Sequence, residues 1–306
     1  MMRKPPEPRL RSAVAGRLSS LTLLIALTGC AQVHSGGMLD PAGPVAQVQR
    51  DHFLIVVALV AIVIVPVFLA LPWILWRYRL SRNSSDYKPD WDFDRRIEWV
   101  IWGVPVLVVA VLAAVLWINV HRIDPYRPLA LQGVPQGAPP LPVQAVGLDW
   151  KWLFIYPEQG IATVDELVVP AGRDIGFDLT ADGPMMSFYV PRLGGQIYAM
   201  AGMRTQLHLA ADEPGGFRGL NTQYNGVDFH RQSFRVRALP PREFAAWAAR
   251  ARSAPPLDAA RYAKLAQPSV SLRPLVFGRV EPDLFAKVIG KYEGASGPHH
   301  MAQAAR

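Results

Sequence analysis

The feature that most constrains this chain is a pair of long apolar runs that contain no charged residue. They cover residues 53–76 and 99–120. A helix needs about 20 apolar residues to cross the roughly 30 Å hydrocarbon layer of a bilayer, and each run is long enough. Pro66 and Pro72 lie inside the first run, but membrane helices tolerate proline where neighbouring helices cover the freed carbonyl groups. We therefore predict two transmembrane helices that form an antiparallel hairpin.

The charges beside these runs predict their orientation. The loop at residues 77–98 is rich in basic side chains, whereas Arg50 is the base that flanks the other end of the first run. The basic residues of the loop are Arg77, Arg79, Arg82, Lys88, Arg95 and Arg96. Loops enriched in Lys and Arg stay on the cytoplasmic side. Everything after His121 is therefore expected outside the cytoplasm.

The composition agrees with a membrane protein and excludes other classes. The chain is 51% hydrophobic and 18% charged, values beyond those of an ordinary soluble domain. Its formal net charge is +8, but no basic stripe interleaved with aromatic residues is present, so a nucleic-acid partner is not expected. Cys30 is the single cysteine, so the sequence predicts no internal disulfide and no thiolate cluster.

The N-terminal segment has the pattern of a secretory signal. Basic residues precede an apolar stretch at residues 18–27, and Leu27-Thr28-Gly29-Cys30 resembles the lipobox of bacterial lipoproteins. The resemblance implies that residues 1–29 are removed and that the Cys30 thiol is acylated. A plain signal peptide with an incidental cysteine is the alternative. Residues 30–52 are expected to form a polar tether, because they contain Gly36, Gly37, Pro41, Gly43 and Pro44.

A β-rich domain is predicted over residues 141–239, after a Pro- and Gly-rich connector at residues 121–140. In its last apolar run, Phe234, Val236 and Ala238 alternate with Arg235 and Arg237, which is the period of a half-buried strand. The predicted strands cover residues 143–156, 166–169, 175–180, 187–190, 205–210 and 233–239. Because no helices intervene, they indicate a β-sandwich or barrel.

From residue 240 onward the sequence becomes alanine-rich and helical in pattern. Helices are predicted over residues 242–252 and 257–266, with a third near residues 282–291. We assign residues 240–294 to a helical C-terminal extension. Residues 295–306 are expected to form a disordered tail.

The segment at residues 215–232 has the residue spacing of a copper-binding loop but lacks the copper ligands. Its spacing resembles the dinuclear copper (CuA) loop of cytochrome c oxidase subunit II, with Asn221 and Asn225 in the two cysteine positions. The ligand positions of that family correspond here to Met186, Asn221, Gln223, Asn225, Phe229 and Gln232. Copper at such a site needs thiolates and imidazoles. We therefore predict that these positions hold no metal.

This pattern resembles subunit II of the cytochrome bo-type ubiquinol oxidases, and other segments agree. They are DWKWLFIYPEQGIAT at residues 149–163 and PRLGGQIYAMAGM at residues 191–203. The resemblance covers residues 20–290 and narrows the β-rich domain to a cupredoxin fold. It includes the C-terminal extension, which cytochrome c oxidases generally lack.

The resemblance implies a place in a membrane complex and no redox centre in this chain. Such a complex oxidises ubiquinol, reduces oxygen to water and pumps protons, with the haems and CuB in subunit I and no catalytic residue here. The expected partners are subunits I, III and IV, membrane lipids and, through subunit I, ubiquinol, but neither cytochrome c nor nucleic acid. The expected location is the bacterial inner membrane, with a lipid anchor, two spans and the C-terminal domain in the periplasm.

Glu98 stands at the predicted cytoplasmic start of the second span. The segment from Glu98 to Pro105 matches the E-x6-P pattern of oxidase subunit II, where the glutamate lies at the mouth of the K proton channel. The resemblance therefore implies a proton-entry role for Glu98. The alternative is a carboxylate that only stabilises a helix N-terminus.

The other notable side chains have structural explanations. Trp150, Trp152, Phe154 and Tyr156 alternate along one predicted strand face, which suits the core or a partner subunit. His230 is expected at the surface. Met186, Met200 and Met203 are expected to fill the core.

Two rival functions stay open at this point. One is a true cytochrome c oxidase subunit II that carries electrons. The other is a lipoprotein binding module on a membrane hairpin.

Overall fold

Two long helices begin the part of the chain that the computed structural model describes, which is residues 37–79, 92–131, 139–270 and 273–292. They are α1, Pro44–Arg77, and α2, Arg95–Arg122. Each is long and apolar enough to cross a membrane, with mean hydropathies of 3.4 and 2.6 over the most apolar stretch, none of it buried within the chain. Asn119 near the end of α2 lies 3.1 Å from His52 near the start of α1, between Nδ2 and Nδ1. The helices are therefore antiparallel neighbours, as predicted.

The first helix begins before the predicted span. The tether expected over residues 30–52 does not extend that far, because α1 starts at Pro44, and proline is well suited to a first helical turn. Val45 and Ala46 are buried against the β domain. The start of α1 is thus a docking segment. Cys30, the predicted signal at residues 1–29 and the predicted tail at residues 295–306 lie outside the described residues.

The β domain is a sandwich of two sheets. Its main strands are β1 Leu141–Leu148, β2 Lys151–Tyr156, β3 Ile161–Val164, β4 Glu166–Pro170, β5 Ile175–Ala181, β6 Met186–Val190, β7 Gly194–Ala199, β8 Thr205–Leu209, β9 Gly215–Asn221 and β10 Ser233–Leu239. The short strands β11 Pro256–Leu257, β12 Leu275–Phe277 and β13 Arg279–Val280 follow later in the chain. The first sheet has the order β12-β3-β2-β1-β5-β8 and the second β4-β10-β9-β6-β7, while β11 and β13 pair separately.

Aromatic side chains fill the space between the two sheets. Trp152 and Phe154 of β2 contact Phe188 and Phe234 of the facing sheet, with ring centroids 5.1 to 6.3 Å apart. Tyr156 is fully buried, and its hydroxyl accepts a hydrogen bond of 2.8 Å from the Val168 amide. Alternation along β2 therefore points these three rings into the core, and none faces a partner subunit.

Two parts of the strand prediction need correction. The run at residues 143–156 is not one strand: it turns at Asp149 and Trp150, where Trp150 has φ of 61°. Trp150 therefore does not share the face of the other aromatic residues. β9 is absent from the prediction because glycine is unfavourable in strands. Gly219 is needed there, since a Cβ at this position would lie 2.0 Å from the Phe234 ring. β3, β7 and the short strands β11, β12 and β13 are also absent from the prediction.

Most of the C-terminal extension covers the outer face of the first sheet, whereas its first helix packs beside β4 and β10, where Phe244 and Trp247 join the main core. Its helices are α3 Pro241–Ala251, α4 Ala259–Leu265 and α5 Leu284–Gly290. A second apolar cluster joins the sheet to the extension through Val146, Leu148, Leu153, Ile155, Ala162, Val164, Leu257, Leu284, Phe285 and Val288. The predicted fold class, a two-helix hairpin followed by a β-sandwich and a short helical extension, is confirmed.

Candidate functional site

The loop with the copper-site frame connects β9 to β10. These strands are antiparallel neighbours in the second sheet, and the Asn221 amide donates to the Gln232 carbonyl at 3.3 Å where the loop closes. A single 3-10 turn, Phe229–Arg231, leads back into β10. Gly226 has φ of 114°, which side chains rarely adopt. The strand register thus fixes both ends of the loop, and the glycine permits its bend.

Three amide side chains form a hydrogen-bonded network inside this frame. Asn221 and Gln232 are buried, with 6% and 2% of their surface exposed. The Gln232 Oε1 atom accepts from Asn221 Nδ2 at 2.8 Å and from Asn225 Nδ2 at 2.7 Å. Asn221 Oδ1 in turn accepts from the backbone amides of Ser187 and Gln223 at 2.9 and 3.0 Å. These side chains, with their partner Met186, are called the amide network below.

Gln232 also connects the network to the first sheet. Its Nε2 lies 3.2 Å from the Met186 sulfur and 3.3 Å from the Lys151 carbonyl oxygen. Met186 is fully buried, as expected for a core methionine. Gly147 leaves room for it, since a Cβ there would lie 2.7 Å from the sulfur. Four of the predicted positions therefore meet at one point of the fold.

The other two predicted positions do not join this network. Gln223 is linked to Asn221 only through its backbone amide and carbonyl. The Phe229 ring packs against Tyr224, with centroids 5.8 Å apart. His230 is exposed, as expected, whereas Met203 is 50% exposed and does not fill the core as predicted. Met200 is half-buried.

The donors in the loop do not suit copper. They are neutral amides and one thioether, whereas copper sites of this kind use thiolates and imidazoles. Among the described residues, no group of three His, Cys, Asp or Glu side chains could hold a metal ion. Asn221 and Asn225 donate to Gln232 instead, and the buried Asn225 Oδ1 atom has no partner among the described residues. No electron-transfer step through this loop follows from the geometry.

Comparison with known proteins decides the family. The chain is 41% identical over 275 residues to the cytochrome bo(3) ubiquinol oxidase subunit 2 of Pseudomonas aeruginosa, covering 90% of this chain and 80% of the relative. It is 42% identical over 282 residues to the ubiquinol oxidase subunit 2 of Acetobacter aceti, covering 92% and 89% of the two chains. This chain belongs to the ubiquinol oxidase subunit 2 family.

Two further matches concern single parts of the chain. The family model described as COX Aromatic Rich Motif matches residues 252–296. The crystal structure of the periplasmic domain of subunit II of cytochrome oxidase from Bradyrhizobium japonicum aligns with 26% identity and a TM-score of 0.35, over 36% of this chain and 91% of that domain.

In this subunit 2 chain, a charged cluster fixes the segment that matches the aromatic-rich motif. Asp182, just after β5, has a side chain that is 2% exposed. Its Oδ1 atom accepts from Lys291 Nζ at 2.6 Å and from the Tyr292 hydroxyl at 2.7 Å, and its Oδ2 accepts from the Tyr262 hydroxyl at 2.8 Å. We call these four side chains the Asp182 cluster.

Hydrogen bonding determines the charge state of this cluster. Burial alone would raise the pKa of Asp182, but the hydrogen bonds from Lys291, Tyr292 and Tyr262 outweigh burial and hold it below its ordinary value. The carboxylate therefore stays ionised inside the structure. The Asp182 cluster is absent from the sequence predictions, because its members are about 80 to 110 positions apart and form no local pattern.

A second buried charge ties the extension to the sandwich. Lys151 on β2 is 2% exposed. Its ammonium group donates to the Gln267 carbonyl at 2.8 Å and to the Ser269 hydroxyl at 2.6 Å. Burial lowers the pKa of Lys151, and the carboxylates of Asp165 and Asp149 oppose that shift.

Glu98 lies in the first turn of α2. Asp94 caps this helix, because its side chain accepts from the backbone amides of Arg96 and Ile97 at 2.8 and 3.3 Å. The Glu98 Oε2 atom accepts from the Trp102 indole at 2.9 Å, one turn further along. The carboxylate is therefore held at the end of an apolar helix. A proton-entry role for it stays a prediction.

Proposed function

We propose that this chain is the non-redox subunit II of a proton-pumping terminal ubiquinol oxidase. The whole complex would oxidise ubiquinol and reduce oxygen to water, with its haems and CuB in subunit I. The observation that carries the proposal is the amide network, in which Asn221, Asn225 and Gln232 bond to one another where a CuA loop has metal ligands. The relatives, which are named ubiquinol oxidase subunit 2, support the same function.

The chain would act as a scaffold for the membrane subunits. Gly194 lets the start of α1 approach β7, since a Cβ there would lie 2.7 Å from the Ala46 nitrogen. The segment after α2 is held by Leu129, whose amide donates to Asp174 Oδ2 at 3.0 Å. Both helices are therefore fixed to the sandwich, which supports a role in anchoring and covering subunit I. Subunits III and IV and membrane lipids would complete the assembly.

The proposed location is the bacterial inner membrane, with the sandwich in the periplasm and a lipid on Cys30. The basic loop between the spans and the lipobox-like segment support this location. Cys30→Ser is expected to give a precursor that lacks the diacylglycerol mass and retains the signal, measured by mass spectrometry. We expect the complex still to assemble, because two apolar spans anchor more firmly than acyl chains.

Glu98 would supply protons to the K channel of subunit I. Its place at the end of an apolar helix, with a hydrogen bond from Trp102, supports this role. Glu98→Ala and Glu98→Gln should slow stopped-flow haem reduction and quinol turnover, while Glu98→Asp recovers part of the rate. Haem content per complex is the control for assembly. Wild-type turnover in both the Ala and Gln variants would leave Glu98 with only a helix-end role.

The proposed function is tested by capturing the complex through a tag on this chain. We expect haem absorption, ubiquinol turnover that consumes oxygen, and no copper beyond what CuB requires. Two additional copper ions per complex would favour the cytochrome c oxidase alternative. Capture of the chain without haem would favour the lipoprotein binding module.

A further inference from the structure

The two outer faces of the sandwich differ in how far other segments of the chain cover them. The extension covers the outer face of the first sheet through the second apolar cluster. The outer positions of β9 and β10 in the second sheet include Arg218 and Arg235, and both side chains are exposed. No segment among the described residues covers them. The second sheet therefore presents a bare basic face.

Arg218 and Arg235 repel each other in the isolated chain. Arg235 on β10 is directly opposite Arg218 on β9 in the antiparallel register, and like charges in that position destabilise a strand pair. Glu166 is opposite Arg235 on the other side, but its Oε1 accepts from Arg237 Nη1 at 3.3 Å. Within the described part of the chain, neither Arg218 nor Arg235 makes an ion pair or a side-chain hydrogen bond.

A groove of about 400 Å³ lies beside this pair. Arg273 lines the groove, and Asp165 is the carboxyl group that faces it. Burial raises the pKa of Asp165 to about 7, and its Oδ1 already accepts from the Trp152 amide at 2.8 Å. Near neutral pH this carboxyl group therefore supplies only part of a negative charge. Among the described residues that line the groove, no other carboxyl group is available to balance Arg218 and Arg235.

We propose that the groove beside Arg218 and Arg235 is the docking surface for an acidic segment of another oxidase subunit. The inference rests on the proposed function. Guanidinium groups bind carboxylates in a bidentate manner, and arginine is enriched at protein interfaces. Carboxylates of a partner would bridge the opposed pair, so its repulsion in the free chain would become attraction in the complex.

The position of the groove favours a protein partner over lipid headgroups. Three backbone hydrogen bonds connect the residues before α1 to the end of β10: the Asp212 amide donates to the Ala42 carbonyl, the Gly172 amide to the Ala211 carbonyl, and the Ala171 amide to the Leu239 carbonyl. Arg235 lies four residues before Leu239, roughly 13 Å along the strand. The apolar run of α1 begins at residue 53, several residues after Pro44. The groove is thus set back from the helix segment that enters the membrane.

The experiment captures the full complex through a tag on this chain at increasing NaCl and measures haem per captured chain. In R218E/R235E we expect haem retention at least about tenfold lower than wild type, as for loss of a charge pair at an interface. R218Q/R235Q should be intermediate. The control R242E/R250E reverses the same charges on exposed arginines of α3 and should retain haem like wild type.

A second measurement separates docking from folding. The full-length variants are expressed without the other subunits, and their melting temperatures are measured in detergent. R218Q/R235Q should melt at or above the wild-type temperature, because a like-charge pair is removed. A fall in melting temperature that parallels the loss of haem would overturn the proposal.

The remaining outcomes also test the docking surface. Wild-type retention in R218E/R235E, or equal loss in R242E/R250E, would overturn the docking surface while leaving the proposed function intact. Retained haem with lost binding to vesicles of phosphatidylcholine and phosphatidylglycerol would identify a headgroup site instead. If the wild-type chain captures no haem protein, the proposed function fails and this inference fails with it.

Discussion

The amide network and the Asp182 cluster are both hydrogen-bonded groups around a buried acceptor, but they join different parts of the molecule. The amide network is neutral and lies within the sandwich, where Gln232 connects a loop of the second sheet to Met186 and the first sheet. The Asp182 cluster contains a carboxylate, an ammonium group and two phenols. It joins the sandwich to the C-terminal extension.

The two groups differ in charge, and this difference determines how strongly each stabilises the fold. Hydrogen bonds to charged groups are stronger than neutral ones, and a buried charge left without partners costs more. We therefore expect the Asp182 cluster to be more sensitive to substitution and to pH. The amide network contains no titratable group. Loss of either group should therefore destabilise only the segment that the group holds.

The largest expected effect is that of Asp182→Ala. The substitution leaves the Lys291 ammonium and the Tyr262 and Tyr292 hydroxyls without their common acceptor. We expect a loss of about 3 kcal/mol, a value below the sum of the single bonds because Lys291 is half-exposed and can be solvated. Hydrogen exchange should accelerate over residues 256–292 and stay unchanged in the loop at residues 222–232.

Asp178→Ala is the matched control for this prediction. Like Asp182, Asp178 accepts hydrogen bonds from a basic side chain: Arg204 donates to its two oxygens at 2.8 and 2.7 Å. This pair, however, lies within the sandwich, and Arg204 is exposed. We expect a loss below about 1 kcal/mol and no change in the extension. Equal acceleration in both variants would contradict the special role of the Asp182 cluster.

The next effect is that of Gln232→Leu in the amide network. The side chain is 2% exposed, so the apolar replacement stays buried while Asn225 Nδ2 loses its acceptor and Asn221 Nδ2 keeps only the Gln223 carbonyl. An unpaired buried amide costs about 2 kcal/mol. Exchange should accelerate in the loop and not in the extension, opposite to the Asp182→Ala pattern. Gln223→Leu, whose side chain lies outside the network, should have little effect.

A smaller effect follows from acid. The folded pKa of Asp182 lies below its ordinary value, so its contribution is fully present above about pH 4 and is lost as the pH falls through the folded pKa. The amide network has no titratable group and should not respond. Pepsin should therefore cleave the extension faster as the pH falls from about 4 to about 2, with cleavage of the loop unaffected. In Asp182→Asn this acid dependence should disappear, and its persistence would assign the transition to another group.

The comparison also shows what the sequence alone can predict. The uncharged runs predict both membrane helices, because length and the absence of charge suffice. The loop spacing singles out the four residues of the amide network, but together with Gln223 and Phe229, which do not join it. Which amide bonds to which is not predictable, because Met186, Asn221 and Gln232 meet only through the register of β6, β9 and β10.

The parts that the sequence misses depend on contacts between distant residues. The Asp182 cluster joins side chains separated by up to 110 positions, and periodicity does not register such pairs. β9 is missed because its glycines oppose a strand assignment, although Gly219 makes space for Phe234. The turn at Trp150 is hidden because Asp149 and Trp150 lie inside an apolar run without Gly or Pro at the turn itself.

The smallest expected effect, that of Tyr262→Phe, tests whether the Asp182 cluster acts as one unit. The phenyl ring keeps its packing against the second apolar cluster, while Asp182 loses one donor at 2.8 Å and keeps Lys291 and Tyr292. An independent hydrogen bond to the carboxylate predicts a loss of about 1.5 kcal/mol. Because Tyr262 helps to lower the pKa of Asp182, the acid transition of the extension should also move to higher pH. Tyr189→Phe, at a half-buried tyrosine with no side-chain hydrogen bond among the described residues, should change neither quantity. A loss as large as that of Asp182→Ala would mean that the three donors stabilise the carboxylate cooperatively, since removal of one would then release the others.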